Sequence, residues 1–283
     1  MRTESPQISG CDCPASWSKP HWRILCYHAI PDSFTDGFRA QLTAFREMGF
    51  SFTDLDSGLN LCRGEGFTRP MVTVTFDDGH LTVYENALPI LQELGIKGFL
   101  YLTADYIRRG KTYRDPDPLP AMTWDNVRDW IRMGHGIGSH TLTHPPLHLC
   151  SQLRLVQECV LSKQVIEENV QVPICHLSYP FGQHSKQIRK FIDDGQLYDS
   201  AATLERGKMR AGHDLHRLRR DDCDPGLPVA SVVRLMRLAD TWYWARHLRR
   251  CYLRYFRQRW SYWERHPEET WEAITDSAAT QRS

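Results

Sequence analysis

Short apolar segments alternate with longer amphipathic segments along most of this 283-residue chain. Six segments have the alternation or the continuous apolar run that is typical of strands, namely 22–28, 71–76, 97–103, 135–140, 174–179 and 197–203. Between them, apolar residues recur at helical spacing. This second pattern predicts helices at 38–49, 84–94, 123–133, 151–170 and 184–193. In the third helix, Thr123 is the expected N-cap and Asn126 stands at the capping-box position.

This order of strands and helices is typical of βα units, whose strands lie parallel in one sheet or barrel. The pattern therefore predicts an α/β fold with functional residues on the loops that follow the carboxyl ends of the strands. The segment 105–120 is rich in proline and charge, and it is expected to form a loop inserted near the site.

Both ends of the chain differ from this middle region, which spans 21–228. Residues 1–20 are polar and rich in proline and serine, and we expect a flexible tail. Residues 229–283 are dense in arginine, tryptophan and tyrosine, and they predict a helical extension with aromatic residues on one face and arginines on another. Residues 229–265 could contact a membrane surface peripherally, or their aromatic face could pack on the domain.

Composition narrows the classes of partner. The formal net charge is +1, so bulk electrostatics favours no nucleic-acid partner. No apolar run has the length of a signal peptide or a membrane span, so we expect a cytoplasmic protein, peripheral at the membrane if the extension binds there. The nine cysteines are odd in number and irregularly spaced, which argues against a disulfide framework. No pattern bears on the oligomeric state.

Two adjacent carboxylates, Asp77 and Asp78, follow the second predicted strand in the sequence TFDDG. Like charges side by side repel, and buried carboxylates are unfavourable without a compensating charge. After another strand, the sequence SHTLTH places His140 and His144 in a His-x-x-x-His spacing. Two prolines follow directly, so we expect a turn there rather than a helix.

Two imidazoles and one carboxylate are the protein ligands of many catalytic zinc sites, which keep one further position open for water. One aspartate could then ligate an ion while the other acts as general base on the water. A bound cation would also reduce the repulsion between the carboxylates. Each motif alone has ordinary structural explanations, but their joint occurrence after two strands predicts a metal-dependent hydrolase.

Three motifs resemble those of the polysaccharide deacetylases, the nodulation-protein-B-like carbohydrate esterase family 4. They are TFDDG (75–79), SHTLTH (139–144) and SYPFG (178–182), in that order and spacing. The resemblance covers roughly residues 22–222. It implies an irregular, incomplete (β/α) barrel of about seven parallel strands. It also implies metal-dependent removal of an acetyl group from a sugar, with zinc or a similar divalent ion as cofactor.

The same resemblance assigns roles to the paired acids and histidines. Asp77 corresponds to the catalytic base of the family. Asp78, His140 and His144 correspond to its metal ligands.

In the third motif, the resemblance points to Tyr179, Pro180 and Phe181 as substrate contacts. Because Pro180 has no N–H, the Phe181 N–H is the expected catalytic donor to the developing oxyanion. A plain core aromatic is the alternative for the Phe181 ring.

Two positions depart from the family pattern. Ser178 stands where the family carries an arginine that supports the catalytic aspartate, so we expect a weaker base or another support. The family's late Leu-x-His, the source of the general acid, has no clear match, and HDLHRLRRDD (213–222) lies in that region. A branch of the family with Tyr-Pro-Phe-Gly also has an early Tyr-His, matched here by Tyr27 and His28. His28 is therefore the expected acid, unless it is a core histidine.

These features predict a hydrolase that removes an acetyl group, N-acetyl in the first instance, from a hexosamine-containing saccharide or glycan precursor. One alternative is the hydrolysis of another linear or cyclic amide on the same fold. The other is a sugar-binding relative that has lost turnover together with the arginine.

Overall fold

The computed structural model describes residues 19–112 and 119–239. The strands are β1 (His21–Tyr27), β2 (Ser51–Phe52), β3 (Pro70–Phe76), β4 (Gly98–Leu102), β5 (Gly136–Ser139), β6 (His176–Ser178), β7 (Ser200–Ala202) and β8 (Asp221–Asp222). The helices are α1 (Thr35–Glu47), α2 (Leu55–Arg63), α3 (Leu88–Glu93), α4 (Ala104–Arg109), α5 (Trp124–Arg132), α6 (Gln152–Val156), α7 (Ser162–Val170), α8 (Lys186–Asp194) and α9 (Val229–Ala239). A π-helical segment, Gln157–Leu161, joins α6 to α7.

Seven strands form the sheet in the order β7-β6-β5-β4-β3-β1-β8, and β2 pairs with β3 beside this path. The strand pairs are parallel. The sheet curls into a half-barrel with helices around it, so the predicted incomplete (β/α) barrel is confirmed. Because β3 and β5 both flank β4, their carboxyl ends lie at the same edge of the sheet.

Side chains along β1 alternate between two hydrophobic layers. Leu25 and Tyr27 belong to the large cluster that includes the helix residues. Trp22 and Ile24 belong to a second cluster, together with Phe99 of β4. These four side chains are fully buried, and burying one large apolar side chain is worth about 1.5–3 kcal/mol. Burial on both faces explains why this strand reads as a nearly continuous apolar run.

Most predicted strands and helices match observed elements, with differences at their ends. The predicted capping box is present: Thr123 Oγ1 accepts from the Asn126 N–H at 3.2 Å, and Asn126 Oδ1 accepts from the Thr123 N–H at 2.9 Å. The predicted loop 105–120 is wrong over its first part, because that part lies in α4. Residues 113–118 lie outside the described residues.

The helix α9 begins at the predicted start of the C-terminal extension and packs on the barrel. Val232, Val233 and Met236 are buried, and the Met236 carbonyl accepts a hydrogen bond from Arg23 of β1 at 3.4 Å. Residues 1–18 and 240–283 lie outside the described residues, so the flexible tail and the membrane contact stay predictions. No helix in the described ranges is long and apolar enough to cross a membrane.

Candidate metal centre and active site

The carboxyl ends of β3 and β5 bring the paired acids and the two histidines together. Asp78 follows β3 closely, and His140 directly follows β5. The Oδ1 atom of Asp78 lies 3.4 Å from His144 Nε2 and 3.7 Å from His140 Nε2. One ligand atom from each residue lies within 4.8 Å of the others, and all three side chains are buried. The structure therefore gathers the three residues that the sequence predicts as metal ligands.

The donor atoms of this cluster fit a cation. The Nε2 atoms of His140 and His144 face each other at 3.0 Å. His140 Nδ1 lies 2.8 Å from the Ser178 carbonyl and donates to it, so the lone pair of this imidazole is on Nε2, toward the cluster. Asp78 Oδ1 is buried and accepts no hydrogen bond from the described residues. A divalent ion would satisfy this carboxylate oxygen and both lone pairs.

The loop that carries the histidines is not helical, as expected from the prolines. Six described residues other than glycine have a positive φ, and four of them belong to the site: Asp78, Thr141, His144 and Phe181. Each such conformation costs of order 1–3 kcal/mol, so strain is concentrated where the donor atoms converge. Thr141 Oγ1 accepts from the His144 N–H at 3.0 Å, which holds the second histidine in place.

A buried glutamate on the helix behind the site anchors this loop. Glu158 Oε2 accepts from the N–H groups of Leu142 and Thr143, both at 2.9 Å. Its other oxygen lies 2.8 Å from a nitrogen of Arg154, and that guanidinium also donates to Thr143 Oγ1 at 2.9 Å. Glu158 has no exposed surface. Sequence reasoning missed this residue, and the only signal was a carboxylate facing inward from a predicted amphipathic helix.

Asp77 is held differently from its neighbour, by a buried arginine late in the chain. Arg220 Nη1 donates to Asp77 Oδ1 at 2.7 Å, and Arg220 Nη2 donates to Asp77 Oδ2 at 2.6 Å. The Ser178 hydroxyl also donates to Asp77 Oδ2, at 3.2 Å. Of the two expectations for this aspartate, the structure shows another support: Arg220, from the segment 213–222, supplies the guanidinium that Ser178 lacks.

Charges around the two aspartates keep both ionised. Burial alone would raise the pKa of Asp77, but the charge of Arg220, followed by that of His140, holds that pKa well below the usual range. Burial would also raise the pKa of Asp78, but His144 and a hydrogen bond from His80 lower it well below its usual value. His80 Nε2 lies 3.4 Å from Asp78 Oδ2, and sequence reasoning missed this contact.

The third motif contributes a tight turn beside the histidines. The ring centroid of Phe181 lies 4.8 Å from that of His144, edge to face. The next two amides bond within the turn, from Gly182 to the Tyr179 carbonyl and from Gln183 to the Pro180 carbonyl. The Tyr179 side chain is fully buried, and its hydroxyl donates to the His216 carbonyl at 3.0 Å. Of the three predicted substrate contacts, Phe181 is the partly exposed one, and the roles of all three stay predictions.

His28 lies directly after β1, at the same edge of the sheet as the other site residues. Its side chain is 38% exposed, and Nδ1 lies 3.9 Å from Asp222 Oδ1. His216, a histidine of the late segment 213–222, has its Nε2 2.8 Å from the Tyr198 carbonyl. The side chain of His28 is thus partly open to solvent, whereas a ring nitrogen of His216 lies against a backbone carbonyl, and the proton-donor role of His28 stays a prediction.

A curled parallel sheet with an Asp–His–His cluster and a separately held aspartate at its carboxyl edge is the expected site of the resembling family. Residues 64–197 match the sequence profile described as polysaccharide deacetylase. The resemblance inferred from the three motifs is confirmed, because this profile match contains all three motifs and is that of the same family. The chain is 23% identical over 210 residues to the Bacillus subtilis (strain 168) protein named "Putative polysaccharide deacetylase YxkH", covering 72% of each chain.

Solved structures show the same fold at low sequence identity. Streptococcus pyogenes deacetylase PplD, solved with acetate, gives a TM-score of 0.66 at 22% identity and covers 77% of this chain and 99% of its own. IcaB from Ammonifex degensii gives 0.67 at 22% identity, over 79% and 99%. A de-N-acetylase from Aggregatibacter actinomycetemcomitans gives 0.65 at 16% identity, over 76% and 99%. These similarities support the fold, whereas the roles of individual residues rest on the geometry above.

Proposed function

We propose that this chain is a metal-dependent hydrolase that removes an N-acetyl group from a hexosamine-containing saccharide. The observation that carries the proposal is the separation of two adjacent carboxylates into two environments. Asp77 is paired with Arg220, whereas Asp78 faces His140 and His144. Two aspartates with only a structural role would not need two different environments. A metal ligand and a general base do need them, because one must face the ion and the other must stay free to accept a proton.

Asp78, His140 and His144 are the residues that would hold the ion. A divalent ion of the zinc class would supply a Lewis acid for the acetyl carbonyl and a water of lowered pKa. The hydrogen bond from His140 to the Ser178 carbonyl and the contact between His80 and Asp78 orient two of these ligands.

Asp77 is the proposed general base. Its Oδ2 lies 3.7 Å from His140 Nε2, beside the donor cluster, and would accept the proton of the attacking water. Arg220 keeps this carboxylate ionised, so the base is available at neutral pH. The Phe181 N–H would donate to the oxyanion, and His28 would protonate the departing amine nitrogen. The acetyl C–N bond breaks, and acetate and a free amine leave.

The nature of the substrate is supported by similarity. A relative of this fold is named a de-N-acetylase, and another was solved with acetate, which is the product expected of the proposed reaction. The alternatives, an amidase for cyclic imides and a binding protein without turnover, predict different products in the same assay.

The test measures acetate release and metal content in matched variants. We expect acetate from N-acetylated oligosaccharides but no hydrolysis of cyclic imides, with activity lost on chelation and restored by zinc or cobalt. Asp77→Asn should retain the ion and lose turnover, whereas Asp78→Asn should lose the ion as well. A His140→Ala, His144→Ala double variant should bind no ion at this site.

Three outcomes would overturn the proposal. They are full metal occupancy in the double histidine variant, loss of the ion from Asp77→Asn, and turnover of cyclic imides without acetate release. Metal binding without any turnover in the panel would favour the binding protein.

A further inference from the structure

We propose that Cys26, His28 and Asp222 form a second site for a thiophilic divalent cation of the zinc class. One ligand atom from each residue, the Cys26 sulfur among them, lies within 4.8 Å of the others. His28 Nδ1 is 3.9 Å from Asp222 Oδ1. Ligand atoms that each lie about 2.0–2.3 Å from a zinc ion are about 3–4 Å apart, so a small closure of this cluster would suffice.

The sheet itself brings these residues together. Cys26 of β1 is the direct register partner of Asp222 in the parallel pair of β1 with β8. His28 lies two residues beyond Cys26, and residues two apart in a strand project on the same face. The backbone register therefore places a thiol, an imidazole and a carboxylate side by side at the carboxyl edge of the barrel.

The donor set selects the kind of ion. Sulfur with nitrogen and carboxylate oxygen suits zinc and its thiophilic relatives, whereas magnesium and calcium prefer oxygen alone. Cys26 is fully buried, while the side chains of His28 and Asp222 are 38% and 40% exposed. One ligand is thus fixed in the barrel interior, and the other two leave an entry path and room for a fourth ligand from solvent.

The charges around the cluster are compatible with a cation. Two guanidinium groups are close to the cluster. Arg206 Nη2 donates to the Asp222 carbonyl at 2.6 Å, and the charge of Arg220 is offset by its bidentate pairing with Asp77. Burial raises the pKa of the Cys26 thiol well above its ordinary value, although Arg220 opposes this shift, so the thiol is protonated without an ion. Binding would release that proton to solvent, and the resulting thiolate and the Asp222 carboxylate would balance the two positive charges.

This site has a consequence for catalysis that rests on the proposed function. An ion held through the ring of His28 would prevent that imidazole from giving a proton to the leaving amine. The enzyme would therefore need one ion at the Asp78 site and be inhibited by a second ion at the Cys26 site.

The experiment uses the full chain, stripped of metal and titrated with cobalt(II). A sulfur-to-cobalt charge-transfer band can arise only at a site with a cysteine ligand, and the Asp78 site has none. We expect a first equivalent without this band and a second equivalent with it. The His140→Ala, His144→Ala variant should lose only the equivalent without the band. The two metal sites are therefore tested separately, and the proposed function and this inference can fail independently.

Cys26→Ser should lose the charge-transfer band and the second equivalent, and excess zinc should no longer inhibit it. Asp222→Asn should weaken the second equivalent too, and it decides the matter if Cys26→Ser does not fold. The matched control is Cys62→Ser, which changes a buried thiol of α2 whose sulfur lies 3.1 Å from the Arg210 carbonyl. It should keep the band, as should a Cys11→Ser, Cys13→Ser variant.

The inference is overturned if the wild-type chain shows no thiolate band, or if the band survives in folded Cys26→Ser. It is also overturned if Asp222→Asn binds the second equivalent as tightly as the wild type. Loss of the band from the Cys11 and Cys13 variant would place the thiolate site in the N-terminal tail instead.

Discussion

The two terminal nitrogens of Arg220 donate to the two carboxylate oxygens of Asp77, at 2.7 and 2.6 Å, with both side chains nearly or fully buried. The residues are 143 positions apart in sequence. A bidentate pair of this kind fixes the orientation of the carboxylate as well as its charge state. The proposed base is therefore locked in place by an arginine from the last strand region rather than from the third motif.

Replacement of this arginine should change the pH dependence of catalysis. In Arg220→Lys a single ammonium replaces the bidentate guanidinium, so the lowered pKa of Asp77 should rise toward its ordinary range. The base must be ionised to work, and the acid limb of the kcat/KM profile should therefore move to higher pH. Arg220→Met should in addition cost about 3–5 kcal/mol of stability, because it leaves a buried carboxylate uncompensated.

The matched control is a second buried pair in the same strand region. Arg23 Nη1 lies 2.7 Å from Asp221 Oδ2, and neither side chain is exposed. Arg23→Met should also lower the free energy of unfolding, but the pH profile of the remaining activity should be unchanged. An acid limb that stays in place in Arg220→Lys would show that Arg220 does not tune the base.

Glu158 should act on metal affinity without touching the ion. In Glu158→Gln the amide cannot replace both carboxylate oxygens, which accept from the Leu142 and Thr143 N–H groups and pair with Arg154. The loop should loosen, and metal affinity measured by chelator competition should fall about 10–100-fold, as is usual when support for ligands is lost.

Glu167→Gln is the control for this experiment, because Glu167 lies further along the same helical stretch. Its Oε1 accepts from the Ile174 N–H at 2.8 Å, away from the histidine loop. Metal affinity in this variant should equal that of the wild type. An unchanged affinity in Glu158→Gln would mean that the loop holds its shape without the glutamate.

Sequence reasoning recovered the elements whose signal is local. The strand 71–76 and the helix begun by Thr123 follow from alternation and capping, which depend on neighbouring residues. The helix α2 was missed because Gly58 interrupts its pattern. A Cβ at that position would lie 2.4 Å from Cζ2 of Trp22, so tertiary packing requires the glycine.

The same limit applies to the site. The motifs locate Asp78, His140 and His144, because ligand spacing after strands is visible in sequence. The supports, Arg220 and Glu158, are brought to the site only by the closing of the barrel and by the helix packed behind it. A buried charge in a predicted amphipathic helix or after a late strand is a weak signal, since solvated charges are far more common there.

The ion pair between Glu205 and Arg217 should contribute to the loss of fold stability in acid. Glu205 accepts from Arg217 at 2.7 and 2.9 Å and contacts His184 Nε2 at 3.1 Å. Burial would raise the pKa of Glu205, but the hydrogen bonds from His184 and Arg217 lower it to about 2. This carboxylate therefore stabilises the folded state above the ordinary glutamate pKa, and the contribution is lost as the pH falls from about 4.5 toward 2.

The test compares urea unfolding of the wild type and Glu205→Gln between pH 7 and pH 3. The variant should be less stable by about 1–2 kcal/mol at pH 7, a figure reduced for the partial exposure of Arg217, and the gap should narrow with acid. Asp194→Asn, which removes an exposed partner of Lys190, should show no such trend. A gap that is constant with pH would assign the effect to packing rather than to charge.

The last prediction concerns the source of the proton that the leaving amine needs. An amine is a poor leaving group, so an acid must protonate nitrogen as the C–N bond breaks. His28 directly follows β1, at the edge of the sheet where Asp77 and Asp78 follow β3, and its side chain is 38% exposed. With one equivalent of metal bound, His28→Ala should lower turnover of an N-acetylated sugar by roughly 10²–10⁴-fold.

An activated acetyl ester separates this role from a structural one, because its leaving group needs no proton. The loss in His28→Ala should shrink strongly on that substrate, while metal content at the Asp78 site stays unchanged. His216→Ala is the matched control, because the imidazole of His216 is hydrogen-bonded to the Tyr198 carbonyl. In this variant both substrates should react almost as in the wild type. Equal losses on amide and ester in His28→Ala would mean that His28 has a structural role. If His28→Ala cleaves the amide at the wild-type rate, the leaving amine must take its proton from Asp77 instead.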